Sequence, residues 1–147
     1  MTINKNKAFY FIPKYQAATL IYDNIVKYQP QLDRLKEALE RCPETYQAES
    51  QKIPDKVAWL HYYHPNGWHW YVIEKDICDE QLQVFALVSG HDTEFGYFSI
   101  HELREIAGVL IDLNWKPKPL SEISEVSHFV VKFSKEDDVE VDNSEIK

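Results

Sequence analysis

Ala58-Trp59-Leu60-His61-Tyr62-Tyr63-His64-Pro65-Asn66-Gly67-Trp68-His69-Trp70-Tyr71-Val72-Ile73 is the stretch that decides the fold. Two aromatic, β-branched runs flank Asn66-Gly67. Both turn residues tolerate positive φ, so the segment reads as a β-hairpin. Strand alternation puts Trp59, His61 and Tyr63 on one face of the first strand, and Leu60, Tyr62 and His64 on the other. On the second strand Trp68, Trp70 and Val72 oppose His69, Tyr71 and Ile73. Both faces are partly apolar, so the order of residues does not say which one is buried.

Downstream, Leu82–Ser89 alternates as a third strand, and Gly90-His91-Asp92-Thr93 turns into a fourth over Glu94–Phe98. Ser99-Ile100-His101-Glu102 has the form of a capping box and starts a helix running from Ile100 to about Ala107, ended by Gly108 at its C-cap. Val109–Trp115 reads as a fifth strand, Leu120–Glu125 as one helical turn and Ser127–Phe133 as a last strand. Glu74 to Glu80 is a turn.

Upstream, Ala8–Pro13 is a short apolar run, either an edge strand or an anchor. From Lys14 to Gln29, Ala18, Ile21, Tyr22, Ile25 and Val26 fall on one helical stripe, which predicts the buried face. Pro30 breaks or restarts that helix, and Leu32, Leu35 and Leu39 form a second stripe up to Arg41. Cys42 to Lys56 is a linker with one turn near Glu44–Glu49. The predicted class is α+β: a four- to five-stranded, mainly antiparallel sheet, with N-terminal helices on one face and a short helix after Ser99. Residues 1–134 are expected to form one domain. Residues 135–147 hold six carboxylates against two lysines, half the formal charge, and read as a disordered acidic tail.

Composition narrows function more by exclusion than by assignment. The formal charge of −8 on 147 residues is unlike the basic stripe of a nucleic-acid binder and suits a basic protein partner. The N-terminus lacks a secretory apolar region, and no run approaches the length that spans a bilayer. Cys42 and Cys78 lack metal-like spacing and read as free thiols of a reducing compartment. These features predict a cytoplasmic protein without membrane association or cofactor. Four glycines in the whole chain leave no phosphate-cradling loop.

Three groups of side chains draw attention. His61 and His69 are weak metal candidates, able to meet only if the hairpin register pairs them on one face, while His64 points opposite His61. His91, Asp92 and Glu94, with His101 and Glu102, would allow general acid–base work if they crowd one end of the sheet. Trp59, Tyr63, Trp68 and Trp70 would make an aromatic contact surface if exposed. Core packing, helix capping and ordinary turn chemistry account for most of these residues without a site.

Trp68-His69-Trp70-Tyr71, then Phe85–Leu103 with its Gly96-Tyr97-Phe98-Ser99 block, then Asp112–Glu122 with Pro119-Leu120-Ser121-Glu122 together resemble the family catalogued as domain of unknown function 2958. Phe11-Ile12-Pro13 matches its usual opening, and the likeness covers most of residues 11–123. Two features depart from the family pattern: the helical stretch near 14–41 is longer than in compact members, and Ala86 stands where glycine is common. The resemblance implies a bacterial domain of plasmids, phages and integrative elements, and it transfers no catalytic residue. The expected function is therefore a small interaction protein of a mobile element that docks on another protein through an acidic and aromatic surface. One version is an inhibitor of host defence or of a nucleic-acid-binding protein. The alternatives are a hydrolase using the His91–Glu94 turn and His101, with or without a metal, and a structural module that pairs with its own copy.

Overall fold

The structure, a computed structural model, describes residues 5–76 and 82–132. The expected tail, Cys78 and the middle of the turn before the third strand lie outside the described residues.

The hairpin forms as its sequence dictates. Strand β1 covers Val57–Ala58, β2 Leu60–Tyr63 and β3 His69–Lys75. Gly67 takes the positive φ of +102° that the turn demands. Strands β4 (Gln83–Ser89) and β5 (Thr93–Ser99) follow as a second hairpin. The later strands are short: β6 is Leu110–Ile111 and β7 Lys118–Pro119. Five strands make one antiparallel sheet in the order β5-β4-β3-β2-β6, and β1 pairs with β7 beside it. The architecture is α+β, as the sequence predicts.

Helices α1 (Lys5–Tyr10), α2 (Lys14–Asp23) and α3 (Gln29–Arg41) precede the sheet. Pro30 sits in the first turn of α3, where its missing N–H is not needed. Asn24, at φ +136°, ends α2, and its side chain accepts from Val26 N to start a 3-10 turn over Ile25–Tyr28. Helix α4 (Ile100–Glu105) begins where Ser99 Oγ accepts from Glu102 N.

The sheet is covered on both sides, which explains why both hairpin faces are apolar. Leu60, Tyr62, Trp70, Val72, Val84, Ala86 and Val88 pack under the helices, against Phe11, Ile12, Leu20, Leu35 and Leu39. Tyr71, Ile73 and Leu87 pack on the other side against Leu120, Ile123, Val126, Phe129 and Val130. Tyr62 is fully buried and donates its hydroxyl hydrogen to the Phe11 carbonyl (2.6 Å). This bond satisfies a polar group that would otherwise be costly in the core.

Of the two readings of Ala8–Pro13 the anchor holds: the segment closes α1, and Phe11 and Ile12 are buried in the core. Four expectations need correction. Gly108 does not cap the helix after Ser99, which ends at Glu105 with Ile106 at its C-cap. The stripe Ala18, Ile21, Tyr22, Val26 faces solvent, and only Ile25 of the five packs on the core; Ala17 and Leu20 form the buried side of α2. The fifth strand shrinks to two residues, because the chain turns at Asp112. Residues 127–132 are helical rather than extended. Val126, Phe129 and Val130 fall three and four apart, which lets one helical face reach the sheet.

Candidate functional site

The hairpin register settles where the histidines go. His61 lies opposite Tyr71, and Tyr63 opposite His69. His61 and His69 are therefore diagonal neighbours on the face covered by the C-terminal segment. His61 Nε2 and His69 Nδ1 stand 2.8 Å apart, with ring planes only 10° apart. Tyr71 stacks on His61 at 4.8 Å, Tyr63 at 5.4 Å, and Trp115 leans against it at 4.9 Å. Trp115 is fixed in turn by its indole N–H, which donates to the Ala58 carbonyl (2.9 Å).

Each histidine also faces a carboxylate. Asp112 Oδ2 is 3.6 Å from His61 Nδ1, and Glu125 Oε2 is 4.0 Å from His69 Nε2. The two ends differ in exposure: His61 and Asp112 are 11% and 33% exposed, His69 and Glu125 21% and 59%. His61 Nδ1 is buried and has no hydrogen-bond partner. Burial, and then repulsion from His69, pull His61 down from its ordinary value to about 4, against the opposing pull of Asp112. Burial, and then Glu125, push the Tyr71 hydroxyl upward. Among the described residues no group of three or more His, Cys, Asp or Glu side chains converges as metal ligands. His61 and His69 do meet, but their facing nitrogens are spent on each other.

The acid–base cluster at one end of the sheet does not assemble. His91 lies in the turn before β5 and His101 two residues after its end. Seven strand residues at about 3.3 Å each put roughly 20 Å between them. His91 packs edge-on against Trp68 (5.7 Å), and Asp92 and Glu94 are exposed. His101 Nδ1 is hydrogen-bonded to the Tyr10 hydroxyl (2.6 Å), tying α4 to α1.

The aromatic set is largely structural. Trp70 is 7% exposed and belongs to the core. Trp59 packs against that core beneath the Arg41 guanidinium. Trp68 lies on Gly90, where a Cβ would meet its ring at 2.6 Å. Tyr63 stacks on His61. Exposed apolar side chains cluster elsewhere, on α2 and the turn after it. Tyr15, Ile21, Tyr22 and Val26 are 59%, 60%, 94% and 72% exposed. The sequence carried a signal for this surface: residues 15–22 contain no charge at all, so between its charged ends α2 has no charged face to turn to water. Asp112 and Glu125 gave no such signal: each is a single carboxylate, one inside the apolar run Val109–Trp115 and the other in the polar segment after Leu120.

A groove of about 360 Å³ lies between the loop before β1 and the aromatic side chains Phe85, Phe95 and Tyr97. Its two buried charges serve the loop itself. Glu74 accepts from Tyr46 N and Ala48 N, and Lys56 donates to the Ala48 carbonyl. No protein-family model, curated protein or solved structure matches the chain.

Proposed function

We propose that this chain is a small protein-binding module that docks on a partner protein through the outer face of α2 and the 3-10 turn after it. The observation that carries the reading is the exposure of four large apolar side chains, Tyr15, Ile21, Tyr22 and Val26, on one short stretch. Large apolar side chains left exposed close together along one element are the kind of surface that interaction sites use, and tyrosine is enriched at the energetic centres of such sites. The formal charge of −8 favours a basic partner and speeds encounter with one. A nucleic-acid-binding protein, blocked by this chain, fits that chemistry. The setting implied by the residues that resemble the domain of unknown function 2958, a bacterial mobile element, belongs to the same proposal.

The test is capture of partners by the tagged chain from host cells, in parallel with an Ile21→Asp, Tyr22→Asp double variant. The expected result is a stoichiometric partner whose recovery falls at least about tenfold in the variant, the loss of one or two hot-spot contacts, and weakens with salt. Equal recovery by the variant overturns this surface, and an empty capture overturns the docking role.

A further inference from the structure

The His61–His69 pair has more contacts than protons. Three gaps stand in a row: Asp112 Oδ2 to His61 Nδ1 at 3.6 Å, His61 Nε2 to His69 Nδ1 at 2.8 Å, and His69 Nε2 to Glu125 Oε2 at 4.0 Å. Ionised carboxylates only accept, so each gap needs one proton to become attractive. Two neutral imidazoles bring one N–H each. One gap is therefore always empty in the neutral pair, and an imidazole lone pair then faces either a carboxylate or the other ring.

The inner gap is already at hydrogen-bond length, so it holds a proton. The second proton goes where its absence would cost most, at the more buried end, on His61 Nδ1 facing Asp112. His69 then donates from Nδ1 to His61 Nε2, and its own Nε2 is left bare beside Glu125. A third proton at that nitrogen fills the row and places one positive charge between two carboxylates. A fourth, on His61 Nε2, would set one N–H against another and break the inner contact.

We propose that the pair is a proton-operated clamp, closed when it holds three protons, which ties the C-terminal layer through Glu125 and the segment after β6 through Asp112 to the middle of the sheet. It joins the β2–β3 hairpin to two later parts of the chain, the turn after β6 and the 3-10 turn Ser124–Val126. The other ionisable groups around it are the Tyr63 and Tyr71 hydroxyls, on β2 and β3, from β7 the Lys118 ammonium over the Trp115 ring at 4.6 Å, and from the covering layer His128, whose Nε2 lies 3.4 Å from Thr93 Oγ1 on the same sheet face. At the acid end, the fourth proton arrives only near pH 4, because burial and His69 hold His61 down to about 4. That depressed value acts oppositely on the whole fold. The unfolded chain binds a proton at this histidine from about 6.5 downward while the folded chain refuses it, so global stability falls as pH drops from 6.5 toward 4.

The experiment is ¹⁵N NMR of the histidine ring nitrogens in the full chain, with amide exchange of residues 120–130, from pH 4 to 8. His61 is expected as the Nδ1–H tautomer, keeping one proton down to about pH 4. The protection factor of the C-terminal layer, its amide exchange corrected for the intrinsic pH dependence, rises about two- to fivefold as the third proton binds, the scale of an exposed ion pair, and falls again near pH 4. In Glu125→Gln the rise disappears, and in Glu122→Gln, a neighbouring exposed carboxylate, it persists. Glu125 is exposed, so its variant keeps the fold. An Nε2–H tautomer at His61, titration of His61 near 6.5, a flat protection profile in the unaltered chain, or the same profile in Glu125→Gln overturns the clamp.

Discussion

Cys42 shows how burial alone sets a residue's chemistry. Its thiol lies in the core, 3.7 Å from the Ile73 carbonyl, and burial pushes it up to about 12. The thiolate is the reactive form, and at pH 8 a group titrating near 12 is ionised in about one molecule in ten thousand. Alkylation of the folded chain by iodoacetamide at pH 8, mapped by peptide mass spectrometry, is expected to leave Cys42 unmodified over hours and to label it fully in denaturant. Labelling in the folded state would show that the loop from Cys42 to Lys56 opens readily. The sequence reads Cys42 as a free thiol, and the charged Glu40-Arg41 before it gives no sign of the depth at which it lies. It left open that His61 and His69 touch, because register depends on which residues of two strands stand opposite each other, and alternation alone leaves that choice free.

At the scale of the element, α2 is informative because its periodicity pointed the wrong way. Spacing identifies an apolar stripe and is silent about what covers it. Ala18, Ile21, Tyr22 and Val26 satisfy the helical spacing as well as any core face does, yet Ala17 and Leu20 take the inside. A helix apolar on both sides leaves the choice to its neighbours. Two substitutions separate the faces. Leu20→Ala should cost about 2–5 kcal/mol of unfolding free energy, the price of a core truncation. Tyr22→Asp should change it by less than about 0.5 kcal/mol, as expected for an exposed site. Urea titration followed by tryptophan fluorescence distinguishes them. A Tyr22→Asp variant as unstable as Leu20→Ala would mean that the tyrosine is covered in solution. The helix over residues 127–132 was missed for a related reason: β-branched and aromatic residues in a row suggest a strand, and the three- and four-residue spacing of Val126, Phe129 and Val130 prevails once a sheet face is waiting.

For the whole molecule, the reading of the sheet survived because the two hairpins are local and their turns carry strong signals. The second covering layer did not, since it is assembled from short 3-10 turns and one helical segment with little propensity of their own. That layer is needed even so. A chain ending at residue 119 would leave Tyr71, Ile73 and Leu87, all at most 1% exposed in the fold, facing water. It is expected to be insoluble or to bind a hydrophobic dye strongly, whereas a chain ending at 134 should behave as the full one does; a soluble, cooperatively unfolding 1–119 chain would refute this role for the layer.

The pairing of Val57 with Pro119 has a consequence for how the protein is made. Strand β1 waits for a partner more than sixty residues away, and β2 gains its second neighbour only with Ile111. During synthesis, at about 5–20 residues per second, the helices and the two hairpins can form as they emerge from the ribosome. The sheet stays bare on one face for several seconds, until the residues near 120–130 follow. Crowding by neighbouring nascent chains should be most harmful in that interval, and slow codons after residue 75 would lengthen it.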